Sequence, residues 1–277
     1  MKSINANGHI ISFEEPKIMG ILNVTPDSFY DGNKFNAVDA AILQVSKMIT
    51  EGVDILDIGA ASSRPGAETL TAEEEISRLK PILSEIKNQF PELIISVDTY
   101  LSKVAYFAIN NGAQIINDIS AFEIDSKMLD VVEETQAPYV LMHMKGQPRT
   151  MQANPSYESV TEEVLKFCIK KIEQLKARSV KDYIVDPGFG FGKSIDDNYK
   201  LFMNLEVFKL LEAPILVGIS RKSMIYKLLG ITAKESLSAT SALHLQSLFM
   251  GANILRVHDV KEAKQTIDLY KMLVKHN

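Results

Sequence analysis

Asparagines, carboxylates and cations recur in one kind of place along this chain. Asn23, Asp57, Asp98, Asn117, His143, Asp186, Ser220 and then Arg256 with His258 each close a short apolar run. Any one of them reads equally well as a loop cap, an Asp or Asn bracing a turn or opening a helix. The whole set is harder to dismiss, because nearly every apolar run ends on a polar group. If the runs are strands of one barrel, these ends converge on its C-terminal face, where barrel active sites sit. Carboxylates, amides and cations gathered there suit a polar, flat, hydrogen-bonding ligand.

The loops after these runs add detail. Asn23-Val24-Thr25-Pro26-Asp27-Ser28-Phe29 opens a segment that continues to about Asn36, long for a strand-to-helix loop. Ser62-Ser63-Arg64-Pro65-Gly66 carries an always-charged guanidinium suited to carboxylate or phosphate. Asp186-Pro187-Gly188-Phe189-Gly190-Phe191-Gly192-Lys193-Ser194 ends like a nucleotide P-loop. Pro187 replaces its first glycine, however, and two phenylalanines fill the cradle, so the segment reads as a close-packed turn exposing an aromatic wall beside Asp186. Ser220-Arg221-Lys222-Ser223 and Arg256-Val257-His258 put cations after the seventh and eighth runs, the usual phosphate-binding quarter of a barrel. His9, His244 and His276 read as hairpin, helix and tail residues.

The elements that must position these groups alternate strictly. Apolar runs at 17–23, 53–59, 93–97, 114–117, 138–143, 182–186, 214–219 and 253–257 are each followed by an amphipathic stretch. The helices are expected at 37–51, 71–89, 101–111, 126–135, 157–178, 196–211, 235–250 and 260–274. Unbroken apolar strands indicate burial on both faces. An open doubly wound sheet and a closed barrel both fit, and eight units without a composition shift favour a (β/α)8 TIM barrel. Asn7-Gly8 between short strand-like runs predicts a β-hairpin over 1–16, a lid on the barrel bottom, so that 1–277 is one domain with its barrel at 17–277.

Composition agrees with a globular protein. The chain has 277 residues, 46% hydrophobic and 23% charged, with net charge −5 and one cysteine, Cys168. That is ample apolar material for a core and excludes disorder. No apolar run reaches the roughly 18 residues of a membrane span, and the N-terminal stretch lacks a secretion signal's apolar core. A lone cysteine and no Cys/His cluster suit a reducing, cytoplasmic setting without zinc. Mild acidity with no basic block argues against nucleic acid as the main partner.

Taken in order, the motifs resemble the dihydropteroate synthase family, essentially from Lys17 onward. The match is carried by Met19–Phe29, Ser62–Gly66, Ser96-Val97-Asp98-Thr99, Ile116-Asn117-Asp118 and Met142-His143-Met144 leading to Pro148–Gln152. It continues through Asp186–Lys193, Ser220–Ser223 and Arg256–His258. Where the family often has Gly-Gly-Glu-Ser-Thr-Arg-Pro, this chain has Gly59-Ala60-Ala61-Ser62-Ser63-Arg64-Pro65, so Ala61 and Ser63 bear on the p-aminobenzoate pocket.

The resemblance implies attack of the p-aminobenzoate amine on the methylene of 6-hydroxymethyl-7,8-dihydropterin diphosphate, releasing diphosphate and giving 7,8-dihydropteroate. It implies a pterin site of Asp98, Asn117, Met142, Asp186 and Lys222, and diphosphate contacts from Asn23, Ser63, Arg256 and His258. Ser63, Arg64, Pro65, Phe189, Lys222 and Ser223 would form the p-aminobenzoate pocket. Asp98, Lys222, Arg256 and Asn23 would carry the chemistry, with Asn23 also the ligand of Mg²⁺; a homodimer is implied too. Three rivals remain at this stage: a pterin-binding methyltransferase barrel, a phosphosugar-type barrel enzyme and a non-catalytic pterin binder. The first would not need the Asn23 loop or the 220–223 cluster, the second needs a strand-end base, and the third releases no diphosphate.

Overall fold

β1 (Ser3–Ala6) and β2 (His9–Ser12) pair antiparallel around Asn7-Gly8. Both turn residues have positive φ, 52° and 93°, which an asparagine and a glycine tolerate in a tight hairpin. This computed structural model describes residues 3–24, 34–60, 70–147, 151 and 155–276. Eight further strands follow: β3 (Lys17–Asn23), β4 (Ile55–Gly59), β5 (Ile94–Asp98), β6 (Ile115–Asp118), β7 (Tyr139–Met142), β8 (Tyr183–Asp186), β9 (Leu216–Val217) and β10 (Ile254–Val257). They pair parallel in the order β8-β7-β6-β5-β4-β3-β10-β9. A parallel bridge from Val185 to Ile215, with Val185 N–H donating to Pro214 O at 2.9 Å, joins the two ends into the (β/α)8 barrel.

Two apolar layers hold it. Inside the bottom of the ring, Met19, Ile55, Ile115, Val140, Ile184, Leu216 and Ile254 pack with Ile4, Ala6, Ile11 and Phe13 of the hairpin, which therefore plugs the barrel floor. Outside the ring, strand residues such as Ile18, Leu56 and Val97 meet the inner faces of the helices. Each fully buried Leu, Ile or Val of this kind contributes about 1.5–3 kcal/mol by leaving water.

The helices are α1 (Lys34–Glu51), α2 (Ala72–Gln89), α3 (Ser102–Asn110), α4 (Met128–Thr135), α5 (Val160–Ala177), α6 (Ile195–Met203), α7 (Ser223–Leu229), α8 (Leu237–Phe249) and α9 (Val260–Lys275). α2 starts on a reciprocal cap in which Thr71 and Glu74 satisfy each other's backbone N–H, with Glu73–Glu75 in the first turn. Two expectations change. The helix expected over 196–211 breaks at Asn204, and Leu205–Leu211 continues as a 3-10 helix that Glu212 ends in a left-handed conformation. A short helix absent from the sequence reading, α7, starts right after Lys222 and is closed by Gly230 at φ 67°.

Parallel register brings the polar strand ends to one height. Asp98 pairs with Asn117, Met142 with Asp186 and Asn23 with Gly59.

Candidate active site

Asp57 is fully buried and stands two residues short of the end of β4. Its Oδ2 accepts from Arg256 Nε at 2.6 Å and from Asn117 Nδ2 at 2.9 Å. The other arm of Arg256 donates from Nη2 to Asp98 Oδ2 at 2.5 Å. One guanidinium from β10 thus ties β4 to β5, a use of its fixed fork that lysine could not copy. Burial pushes the Asp98 carboxyl up to about 6; Arg256 opposes that shift, while Asp57 and Asp118 add to it. Burial also works against charge on Arg256, but the two carboxylates reverse this and hold it protonated above its ordinary range.

The opposite wall is built around Asp186, at the end of β8 and only 4% exposed. Its Oδ1 accepts the Gly188 N–H at 2.7 Å. A Cβ placed on Gly218 would stand 3.9 Å from Asp186 Oδ2, 3.8 Å from Lys222 Nζ and 3.9 Å from Arg256 Cβ, so these three side chains converge over that glycine. Lys222 Nζ donates to Phe189 O and lies 4.5 Å from the centre of the Phe191 ring. Burial lowers the Lys222 ammonium to about 8, against the pull of Asp186. Burial raises Asp186, with Lys222 the largest opposing charge.

Met142, Met144, Met151, Ile119 and Phe191 form a separate apolar cluster, with Tyr100 packed against it. At the rim, Ser220 Oγ lies 3.1 Å from His258 Nδ1 and accepts the His258 N–H at 3.2 Å. Ser223 opens α7 next to Lys222. Asn23 ends β3, half-buried, and its side-chain amide makes no hydrogen bond among the described residues.

Several strand-end groups have structural work instead. Arg221 is held by Asp259, with Nε to Oδ2 at 2.9 Å and Nη2 to Oδ1 at 2.5 Å, so the cluster after β9 offers one ammonium to the mouth rather than two cations. His143 is buried against Lys193, Nδ1 to Nζ at 3.0 Å, and its ring meets Phe167 edge-on; burial and the neighbouring ammonium groups keep it neutral, near 2. Lys193 Nζ donates to the carbonyls of Gly188 and Phe191 at 2.7 and 3.2 Å. The lysine that mimics a P-loop therefore staples its own turn. A Cβ at Gly188 would lie 1.9 Å from His143 O, and one at Gly192 2.1 Å from Lys145 O, so both positions require glycine.

Of the residues expected in the site, Asp98, Asn117, Met142, Asp186, Lys222 and Arg256 gather on one face of the ring, with Asn23, His258 and Ser223 on the strand ends and loops around them. Ser63, Arg64 and Pro65 lie outside the described residues. Phe189 differs from expectation: its ring is fully buried against Phe202, at 5.9 Å between centroids, and only its carbonyl reaches Lys222. The ring beside Lys222 is that of Phe191. Asp57 was legible as a polar break in an apolar run, but its depth and its hold on Arg256 were not.

A family model for pterin-binding enzymes matches residues 19–258. The dihydropteroate synthase of Haemophilus influenzae is 41% identical over 268 residues, 96% of this chain and 97% of that protein. The chain belongs to the dihydropteroate synthase family. Its members include the Yersinia pestis dihydropteroate synthase solved with a sulfonamide drug complex, with TM-score 0.92, 36% identity and 99% of both chains covered. The Xanthomonas albilineans dihydropteroate synthase solved with 4-aminobenzoic acid also superposes at TM-score 0.92 with 36% identity, over 99% of this chain and 98% of that one. This member of the dihydropteroate synthase family is accordingly a transferase of folate synthesis. No helix among the described residues is long and apolar enough to cross a membrane.

Proposed function

We propose that the barrel mouth joins 6-hydroxymethyl-7,8-dihydropterin diphosphate to p-aminobenzoate, and that its side chains divide the work as follows. The observation that carries this reading is the convergence of Asp186 and Lys222 over Gly218, where they meet the Arg256 that bridges Asp57 and Asp98. The Asp186 carboxylate accepts from the pterin 2-amino group and N3–H, one oxygen for each, while Asn117 serves the same edge through its amide. Lys222 donates to the pterin carbonyl or N5. Met142 and its apolar neighbours wall the ring, and Asp98 stabilises the positive charge that grows on the pterin methylene as the C–O bond breaks.

Arg256 and His258 take the departing diphosphate, with Asn23 and Ser63 beside them. The neutral arylamine of p-aminobenzoate is nucleophilic already, so the site must orient it rather than deprotonate it first. We place its ring near Phe191, Pro65 and Lys222, with Ser63, Arg64 and Ser223 toward its carboxylate. Among the described residues no cluster of His, Cys, Asp or Glu is arranged to hold a metal. The hard amide oxygen of Asn23 fits Mg²⁺ only together with substrate oxygens, the usual few-ligand mode of this ion. When bound, Mg²⁺ would neutralise charge on the leaving diphosphate.

The chain is also proposed to act in the cytoplasm as a homodimer. Leu228, Leu229, Phe249, Leu269 and Met272 support self-association, being exposed apolar side chains on α7, α8 and α9. Calorimetry on Asp186→Asn tests the pterin assignment. Exchanging one acceptor for a donor against a donor edge should weaken pterin diphosphate by about 1.5–3 kcal/mol, roughly 10- to 150-fold. Unchanged affinity in a normally folded variant removes Asp186 from this role.

A further inference from the structure

Glu75 stands on the inner face of α2 with 1% of its surface exposed, an unusual setting for a carboxylate on a barrel's outer helix. Its Oε2 accepts from Thr99 Oγ1 at 3.1 Å. Thr99 directly follows Asp98, and it is clamped in turn: its N–H donates to Asn117 O at 3.0 Å, and its hydroxyl accepts the Leu101 N–H at 3.2 Å. One turn further along α2, Arg78 Nη1 donates to Ala60 O at 3.3 Å, where the chain leaves β4. The two strand ends so held touch each other, since a Cβ on Gly59 would lie 3.2 Å from Asp98 Cβ. Residues 75 and 78, spaced to share one helix face, therefore brace the β5 end that carries Asp98 and the adjoining end of β4.

Resting on the reading that Asp98 acts as an anion, we propose that Glu75 is a positioning residue for the transfer, which through Thr99 sets the orientation of Asp98. The charges involved are few. Glu75 faces Arg78 on its own helix and Asp98 across it, and Asp98 faces Arg256, Asp57 and Asp118. Burial raises Glu75 to about 7; the Thr99 hydrogen bond opposes this, and the negative charge of Asp98 adds to it. Asp98, raised less far, loses its proton first, and Glu75 then ionises against an Asp98 that is already charged.

The test is to titrate the Asp98 carboxyl by carbon NMR in the parent and in Glu75→Gln, and to measure kcat and KM against pH for both. Glu75→Gln keeps an acceptor for Thr99 and removes the charge. Because Asp98 ionises before Glu75, its titration and the acid limb of kcat should both stay where they are in the parent. Glu75→Leu, which removes the acceptor, should lower kcat about tenfold or more while KM for the pterin diphosphate holds. Thr99→Val should lower kcat about tenfold or more at every pH, and Thr99→Ser should restore the parent profile. A folded Glu75→Leu variant with the parental kcat overturns the proposal, as does a Glu75→Gln variant that loses kcat as far as Glu75→Leu does. If Glu75→Leu does not fold, a Thr99→Val variant with parental kcat overturns it equally. A parent protein without turnover contradicts the synthase reading itself, and the Asp98 carboxyl shift in Thr99→Val still reports whether the Thr99 clamp orients it.

Discussion

Asp57 and Arg256 lie 199 positions apart in sequence and meet inside the ring, Arg256 Nε donating to Asp57 Oδ2 at 2.6 Å with the carboxylate wholly out of solvent. Because Arg256 also binds Asp98, it fixes the spacing of two strand ends before any substrate arrives.

Arg256→Ala should therefore unfold more easily as well as lose activity. Removing one member of a buried pair strands the other charge, at about 3–5 kcal/mol. Urea denaturation measures this, and a loss under 1 kcal/mol would mean the pair does not brace the barrel.

The alkaline side of the reaction should be governed by Lys222. Its ammonium is lowered to about 8 by burial, so the positive charge that strengthens its hydrogen bond to the pterin is lost as pH rises through that value. The rate should fall above pH 8, and Lys222→Arg should move that limb upward because guanidinium stays charged. The stability effect has the opposite sign. Between pH 8 and 10 the unfolded chain binds more protons at this residue than the folded one, so its contribution to stability rises with pH across that window. An alkaline limb identical in Lys222→Arg assigns the ionisation elsewhere.

Binding of the two substrates should be coupled. The stems of the two segments expected to hold diphosphate and p-aminobenzoate are neighbours: Asn23 pairs with Gly59, and Val24 N–H donates to Gly59 O at 2.8 Å. Whatever order Mg²⁺ diphosphate imposes at Asn23 is shared with the stem leading to Ser63 and Arg64, leaving less entropy to lose when the second substrate binds. Titration of p-aminobenzoate should show at least a tenfold gain in affinity, about 1.4 kcal/mol, with Mg²⁺ diphosphate present. Equal affinities would mean independent sites.

Much of this architecture is legible in the sequence because it depends on short-range rules. Thr71 with Glu74 marks the start of α2, Asn7-Gly8 marks the hairpin, and apolar runs ending in Asp98, Asn117 and Asp186 mark strands whose tips face one mouth. The rest depends on the path of the backbone. Gly188, Gly190 and Gly192 all adopt positive φ, so strand alternation fails there and Phe189 turns into the core while Phe191 faces Lys222. α7 is too short for its period to show, and Arg221, which reads as an anion ligand, is taken by Asp259 from another loop. Glu75 gave no signal, because an acidic residue in a helix's first turn has a sufficient explanation in the helix dipole.

The most direct test is to follow diphosphate and dihydropteroate together in one reaction of purified protein, pterin diphosphate, p-aminobenzoate and Mg²⁺, leaving out one component at a time. The two products should appear one for one, and neither coupled product should form when a substrate or the metal is withheld. Tight binding of pterin diphosphate with no dihydropteroate under any metal condition would contradict the account and leave a pterin-binding barrel that performs no transfer.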